Sequence, residues 1–360
     1  MKNRQSYHAL IINIGSLSTK VNIYKDEEVL ISETVHHSSS QLSQFRTINE
    51  QLSFRSDVVE QVVRKSGFKR GNIDIVIARG GLTKPLPAGI YAIDKKMCDD
   101  LYCRPSGVHP ANLGPVIAFN VAESLNVPAI TIDTPSSDEF DDLARVSGLP
   151  EIERTSMFHA LNQKAAARRA SQDIGKSYQE ANFIVAHLGG GVSIGAHEKG
   201  RVIDVTHGLS EGPLTPERAG STPTIDLLDM CFLGKLSKEE LRRKLVGEGG
   251  LNAYLGTSDV RIIEKRISEG DKYASLIYEA MAYQVAKDIG AMSTVLKGRV
   301  DAIVLTGGVA NSKLLVGWII MRVGYIARVM VYPGEDEMEA LNSGGLRILR
   351  GEEDMLQYPS

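Results

Sequence analysis

Apolar and polar positions alternate in two widely separated stretches, and a glycine-rich turn interrupts the alternation in each. Phe183-Ile-Val-Ala186 leads into His187, then Leu188, Gly189, Gly190 and Gly191, and then a second apolar run containing Ser193. Near the N-terminus, Leu10-Ile-Ile-Asn13-Ile-Gly15-Ser16-Leu-Ser-Thr-Lys20-Val-Asn-Ile-Tyr24 repeats the layout. A charged turn follows each copy, Lys25 to Glu28 and Glu198 to Arg201, and a third strand follows each turn. Glycine weakens a strand, so glycines between two strands mark a turn where backbone comes close to something. The N–H groups of such a turn form a concave donor surface suited to phosphate oxygens. A single copy is equally well explained as a tight hairpin. Two copies predict a duplicated α/β domain whose phosphate-facing turns oppose each other across a nucleotide cleft. Setting Gly15 against Gly189 puts Asn13 on His187.

The remaining pattern supplies the other elements. Val58, Val59, Val62 and Val63 predict a helix over Arg55 to Ser66, stopped by Gly67. A buried-type strand over Asn72 to Ala78 empties into Arg79-Gly80-Gly81. An arginine at the carboxyl end of a parallel strand stands where ligands bind in open α/β sheets, and equally suits a surface turn. The polar loop Pro105 to Gly114 opens a helix over Pro115 to Leu125, with proline at its favoured first position. The strand Ala129 to Asp133 ends on a carboxylate that either holds magnesium or caps the local backbone. Asp138, Glu139, Asp141 and Asp142 read as a solvated acidic loop, and Leu149-Pro150 as the crossing between a domain over 1–150 and one over 151–337. A terminal helix, about 338–360, is expected to pack back on the first domain.

In the second half, alanines at 165, 166, 167 and 170 favour a helix over Leu161 to Ile174, with His159 just ahead of it. Gly175-Lys176-Ser177 imitates the end of a P-loop, but Ala170 stands where the first glycine is required. The run from Thr206 to Gly220 is too rich in glycine and proline for regular structure, and its one arginine, Arg218, is a candidate anion clamp. Helices follow over Ile225 to Leu233, Ser237 to Leu245, Val260 to Ser268 and Asp271 to Leu296. The strand Val300 to Leu305 then feeds Thr306-Gly307-Gly308-Val-Ala-Asn311, where the backbone can approach a flat ring or ribose. A final strand, Val329 to Pro333, precedes the acidic run Glu335-Asp336-Glu337 and a helix over Glu339 to Leu349 that Gly344 and Gly345 are expected to break.

Composition narrows the classes. The chain has 360 residues, enough for two domains, and a net charge of −3 that gives no electrostatic case for nucleic acid or an anionic membrane. Three cysteines without a C-x-x-C pair indicate neither a disulfide framework nor a zinc site and fit a reducing cytoplasm. Neither a signal peptide nor a bilayer-spanning run is evident.

In their order these pieces resemble the acetate and butyrate kinase family, whose fold belongs with actin, sugar kinases and heat-shock chaperone ATPases. Asn13-Ile-Gly-Ser16-Leu-Ser-Thr-Lys20 is similar to the family's Asn-x-Gly-Ser-Ser-Ser opening, with Leu17 replacing a serine. His187-Leu-Gly-Gly-Gly-Val-Ser-Ile194 resembles its His-Leu-Gly-x-Gly-x-Ser-Ile signature. Phe158-His159, Thr306-Gly-Gly-Val and His109-Pro-Ala-Asn-Leu-Gly114 also have counterparts. Ala78-Arg79-Gly80-Gly81 looks like the butyrate branch, whereas acetate kinases carry a longer string.

The resemblance implies transfer of the ATP γ-phosphate to butyrate or a similar short fatty acid, giving ADP and an acyl phosphate, with acetate or propionate kinase as the alternative. It implies phosphate and metal contacts from Asn13, Ser16 and Lys20, and phosphoryl stabilisation by His159, His187 and Arg218. Magnesium would be organised by Asp133 with Glu337, although Asp336 fits the register nearly as well. Gly189 to Gly191, Gly307, Gly308 and Asn311 would meet the nucleotide, and Arg79 would be a substrate contact; the break read at Gly344 and Gly345 would let that helix approach adenine. A homodimer or higher homo-oligomer is the family expectation. Two rivals stand beside this reading: a sugar kinase, with Asp133 as base on a hydroxyl, and a nucleotide-driven binding module of the chaperone or filament kind.

Overall fold

A computed structural model describes residues 6–103 and 107–359. Pro105 and Ser106, which open the polar loop expected before Gly114, lie outside the described residues. The chain divides into two units, one formed by Met1–Ser137 with Asp336–Ser360 and the other by Asp138–Glu335.

The first unit is built on a six-stranded sheet. Its strands are β1 (His8–Ile14), β2 (Ser18–Lys25), β3 (Glu28–His36), β4 (Ile75–Arg79), β5 (Ile90–Ala92) and β6 (Ala129–Ile132), in the order β3-β2-β1-β4-β6-β5. The first three form an antiparallel meander, β4 and β6 join in parallel, and β5 closes the edge antiparallel to β6. The second unit has a five-stranded sheet of β7 (Asn182–Leu188), β8 (Val192–Glu198), β9 (Arg201–Val205), β10 (Ala302–Gly307) and β11 (Val329–Pro333). Its order is β11-β10-β7-β8-β9, with β7 to β9 antiparallel and β10 and β11 parallel. The two units therefore share one five-strand topology, to which β5 adds an edge strand in the first. Asn13 pairs with Lys20 across the first hairpin and His187 with Ser193 across the second, each residue being the last but one of a seven-residue strand. The equivalence of Asn13 and His187 holds in the fold.

Both central strands are buried on both faces, as continuous apolar runs require. In the second unit, Phe183 and Val185 of β7 meet Ala166, Ala167 and Ala170 of the helix Ala160–Asp173. Ile184 and Ala186 face the other way, onto Met281, Val285 and Ile289 of the helix Lys272–Val295. In the first unit, Leu10, Ile12 and Ile14 pack in one cluster with Leu113, Ile117 and Val121 of the helix Leu113–Leu125. The last helix, Glu337–Arg350, covers β1, β4 and β6.

That last helix corrects an expectation. It runs unbroken through Gly344 and Gly345. A Cβ on Gly344 would stand 2.2 Å from Ile132 Cδ1, and one on Gly345 would stand 2.3 Å from Ile77 Cδ1. The glycines let the helix lie close on the sheet, which fully occupies them.

The acidic loop is likewise not a solvated surface throughout. Asp138 forms a two-bond pair with Arg145. Glu139 lies 2.8 Å from Lys164 Nζ and accepts the Val202 N–H, and Asp141 donates its N–H to Ile203 O. These bonds join the loop to β9 and the helix Ala160–Asp173, so the second unit begins at Asp138 rather than after Pro150. Glu337 falls in the first unit for the same kind of reason, its partners being Asn13 and Arg79.

Candidate active site

In the second unit the triple-glycine turn between β7 and β8 collects the polar groups. His187 reaches its rim from the end of β7, and a Cβ on Gly189 would stand 3.0 Å from His187 Nε2. His159 occupies the cap position of the helix Ala160–Asp173, yet its side chain makes no cap bond. It stacks on His187 instead, with ring centroids 3.8 Å apart and planes 12° from parallel. His187 Nδ1 lies 2.7 Å from Asn162 Oδ1, so this nitrogen carries the hydrogen. Its Nε2 faces Glu335 Oε1 at 3.1 Å, so a carboxylate stands where another anion could.

Arg218 arrives from the irregular run before the helix Thr224–Phe232. Thr215 Oγ1 accepts the Arg218 N–H at 2.9 Å and donates to Gly190 O at 2.7 Å, which ties that run to the glycine turn. The Arg218 guanidinium donates from Nη1 to Gly208 O. It also fills the space over Gly191, where a Cβ would come within 2.1 Å of Nη1. Burial pushes the pKa of Arg218 down, though a guanidinium keeps its charge at any physiological pH. Two imidazoles, a guanidinium and a three-residue backbone turn thus converge. Such a set can bind and stabilise an anion through donors and positive charge.

At the far end of β10, Gly307 has φ of 90° and opens a short 3-10 turn, Gly308–Asn311. Gly308 and Asn311 are exposed, and Asn311 Nδ2 folds back to donate to Gly308 O at 2.9 Å.

In the first unit, the corresponding turn is Gly15-Ser16-Leu17. Asn13 Nδ2 donates to Glu337 Oε2 at 2.8 Å, and Arg79 Nε lies 3.0 Å from Glu337 Oε1. The structure thus brings Glu337, not Asp336, to the end of β1, where Arg79 is an ion-pair partner of this carboxylate. Asp133 follows β6, buried and with φ of 42°. That left-handed backbone costs a non-glycine residue roughly 1–2 kcal/mol and marks a position held by its surroundings. Ser16 and Lys20 are exposed.

Among the described residues no group of three His, Cys, Asp or Glu could enclose a metal ion. Magnesium does not need one, since it keeps several waters and binds through one or two carboxylates plus phosphate oxygens. Glu337, Asp133 and the amide oxygen of Asn13 fit that donor chemistry.

One residue escaped the sequence reading altogether. Arg55, fully buried in the helix Gln51–Lys65, donates to the Ser16 and Ser18 carbonyls at 3.0 and 2.9 Å. Its other bonds go to Thr19 Oγ1 at 3.3 Å and Gln51 Oε1 at 3.0 Å. All four acceptors are neutral, and burial lowers its pKa. A cation is thus fixed behind the first glycine turn. Gln51 and Arg55 stand four apart on one helix face, the only sign of it in the sequence.

Residues 152–328 match the model of the acetokinase family. The whole chain is similar to the acetate kinase of Porphyromonas gingivalis, with a TM-score of 0.78 at 20% identity over 95% of this chain and 100% of that one. The acetate kinase of Entamoeba histolytica gives a TM-score of 0.74 at 17% identity, covering 94% and 99% of the two chains. A propionate kinase from Francisella tularensis subsp. tularensis SCHU S4 gives 0.68 at 18% identity, covering 93% and 98%. The fold is the two-domain α/β fold of those acetate kinases. No helix among the described residues is long and apolar enough to cross a membrane.

Proposed function

We propose that the protein is a carboxylate kinase that moves the γ-phosphoryl group of ATP onto a short-chain fatty acid, reversibly and in line. Butyrate or a similar short acid is the acceptor we favour. The observation that carries the reading is the convergence of His159, His187 and Arg218 on the Gly189–Gly191 turn.

The chemistry follows from charge. A carboxylate is already a nucleophile at neutral pH, so the reaction needs no base to activate it. The difficulty lies in bringing two anions together and in bearing the charge on the three equatorial oxygens of the group in flight. Cations and N–H donors answer that need, and a nucleophilic side chain does not. Arg218 would hold the carboxylate and the phosphoryl group, and His159 and His187 would stabilise the phosphoryl oxygens. In the first unit, Asn13, Ser16 and Lys20 would meet phosphate, while Asp133 and Glu337 would hold magnesium, partly through water. The metal, when bound, neutralises charge on the phosphates. Gly307, Gly308 and Asn311 would lie against the nucleoside.

Two considerations bear on the acceptor. The Ala78-Arg79-Gly80-Gly81 string supports butyrate. Arg79 would then act on substrate either directly or through Glu337. Acetate or propionate is the second reading, supported by the likeness to proteins described as acetate and propionate kinases. Hydroxamate trapping of the acyl phosphate across acetate, propionate, butyrate, isobutyrate and valerate tests both. Highest kcat/KM for butyrate or isobutyrate upholds the first, and a maximum at acetate or propionate upholds the second. ATP turnover indifferent to any carboxylate would exclude both and favour a binding module. Activity on sugar hydroxyls alone would favour a sugar kinase with Asp133 as base.

A further inference from the structure

A buried polar seam runs between β8 and the helix Ala160–Asp173. Ser193, Gly195 and His197 fall on one face of the strand, and His159 and Gln163 stand one turn apart at the start of the helix. Gln163 Nε2 donates to the Ser193 carbonyl oxygen at 3.0 Å and to its hydroxyl at 2.8 Å. Gln163 Oε1 meets His197 Nε2 at 3.0 Å, and His197 Nδ1 meets the Tyr178 hydroxyl at 2.8 Å. At the other end, the Ser193 hydroxyl lies 2.8 Å from His159 Nδ1 and receives the His159 backbone N–H at 3.4 Å. Gln163, Ser193 and His197 have no exposed surface. Gly195 leaves room for the seam, since a Cβ there would stand 2.7 Å from Gln163 Oε1.

Donor and acceptor roles follow from these contacts. A carbonyl oxygen can only accept, so the atom of Gln163 facing Ser193 O must be its NH2, and Oε1 must face His197. His197 therefore carries its hydrogen on Nε2 and accepts at Nδ1 from the Tyr178 hydroxyl. Burial, with Lys164 and Arg168 nearby, keeps this imidazole neutral by pushing its pKa well below the ordinary histidine value. The Ser193 oxygen already accepts from Gln163 and from the His159 backbone. Its own hydrogen is left for His159 Nδ1.

We propose that Gln163, with Ser193 and His197, is a positioning group that sets the tautomer of His159, so that Nδ1 accepts and Nε2–H is presented to the phosphoryl group. The phosphoryl recipient rests on the function proposed above; the tautomer rests on the hydrogen bonds alone. An imidazole N–H aimed at a developing oxyanion stabilises it, whereas the other tautomer would turn a lone pair toward it.

The test is nitrogen NMR on the full chain labelled with 15N-histidine, His159 being assigned by loss of its signals in His159→Ala. In the wild type, His159 is expected to be bare at Nδ1 and protonated at Nε2. In Gln163→Met the new side chain can neither donate nor accept, so the Ser193 hydroxyl is free to turn and His159 loses its single tautomer. The same variant should lose kcat by roughly 10- to 100-fold, the scale seen when an orienting partner of a functional histidine is removed, with KM for ATP little changed. A wild-type His159 protonated at Nδ1 and bare at Nε2 overturns the proposal. So does a folded Gln163→Met variant in which His159 keeps the wild-type tautomer alone. Failure of the wild type to form any acyl phosphate overturns the function instead, and with it the recipient of the Nε2–H.

Discussion

His159 and His187 lie ring on ring, 3.8 Å between centroids, one at the head of a helix and the other at the end of the central strand of its sheet. Under the function proposed above, the two rings would serve one anion together. Replacing either histidine by alanine is expected to lower kcat by roughly 100-fold, the cost of losing one oxyanion-type donor. The double variant should fall short of the product of the two losses, because contacting residues are not energetically independent. Steady-state kinetics of the two single variants and the double variant check this; simple multiplication of the effects would show that the rings act separately.

Gly191 serves a neighbour. With a Cβ 2.1 Å from Arg218 Nη1, Gly191→Ala requires the guanidinium to leave its place over the turn. The expected outcome is a loss of kcat/KM of the order of that in Arg218→Ala, roughly 100-fold or more, with little change in thermal stability because the clash falls on a flexible side-chain end. Kinetics and melting curves on both variants decide it. Near-normal activity in Gly191→Ala would mean that Arg218 works from some other position.

Arg55 should matter to folding and to nucleotide affinity alike. Arg55→Met strips the Ser16 and Ser18 carbonyls of a charged donor, and hydrogen bonds to charged groups contribute about 1.5–3 kcal/mol each. A destabilisation of about 2–4 kcal/mol in urea unfolding is expected, together with weaker ATP binding. Arg55→Lys retains the charge but lacks the planar fork that spans both carbonyls, so it should fall between. Wild-type ATP affinity in a folded Arg55→Met variant would show that the cation supports only the fold.

How much of this was legible follows from what a linear pattern can carry. Alternation around Gly15 and Gly189 gave both hairpins and the match of Asn13 with His187, because a strand's period of two is written locally. The seam behind His159 left a trace in the spacing of Ser193, Gly195 and His197, but their partner Gln163 comes from a helix thirty residues earlier in the chain than Ser193. Arg55 read as one more polar helix position, since nothing local says that its face is covered by a turn. The acidic loop misled for a similar reason: Glu139 looks solvated until Lys164 is seen 2.8 Å away. Gly344 and Gly345 looked like a break because composition alone cannot distinguish a weakened helix from one that packs closely.

Asp288 supplies a prediction in which the sign of the pH dependence is the test. It sits in the helix Lys272–Val295, with Oδ2 buried and without a hydrogen-bond partner among the described residues. Burial raises its pKa to about 6, with the Glu211 carboxylate adding to the rise and Lys287 opposing it. The folded chain thus holds this proton more tightly than the unfolded chain. Its contribution to stability is fully present below the ordinary aspartate pKa and is lost as pH rises through about 6. Above that, folding has to carry a poorly solvated charge. Asp288→Asn removes the charge at every pH, so it should be more stable than the parent at pH 7.5 by about 1 kcal/mol once solvent screening is counted, or about 2–4 °C in Tm for a unit of this size. The advantage should shrink as the pH is lowered through 6 and nearly vanish near 4. A Tm difference that stayed constant across that range would mean that Asp288 ionises normally and that the gain has another source.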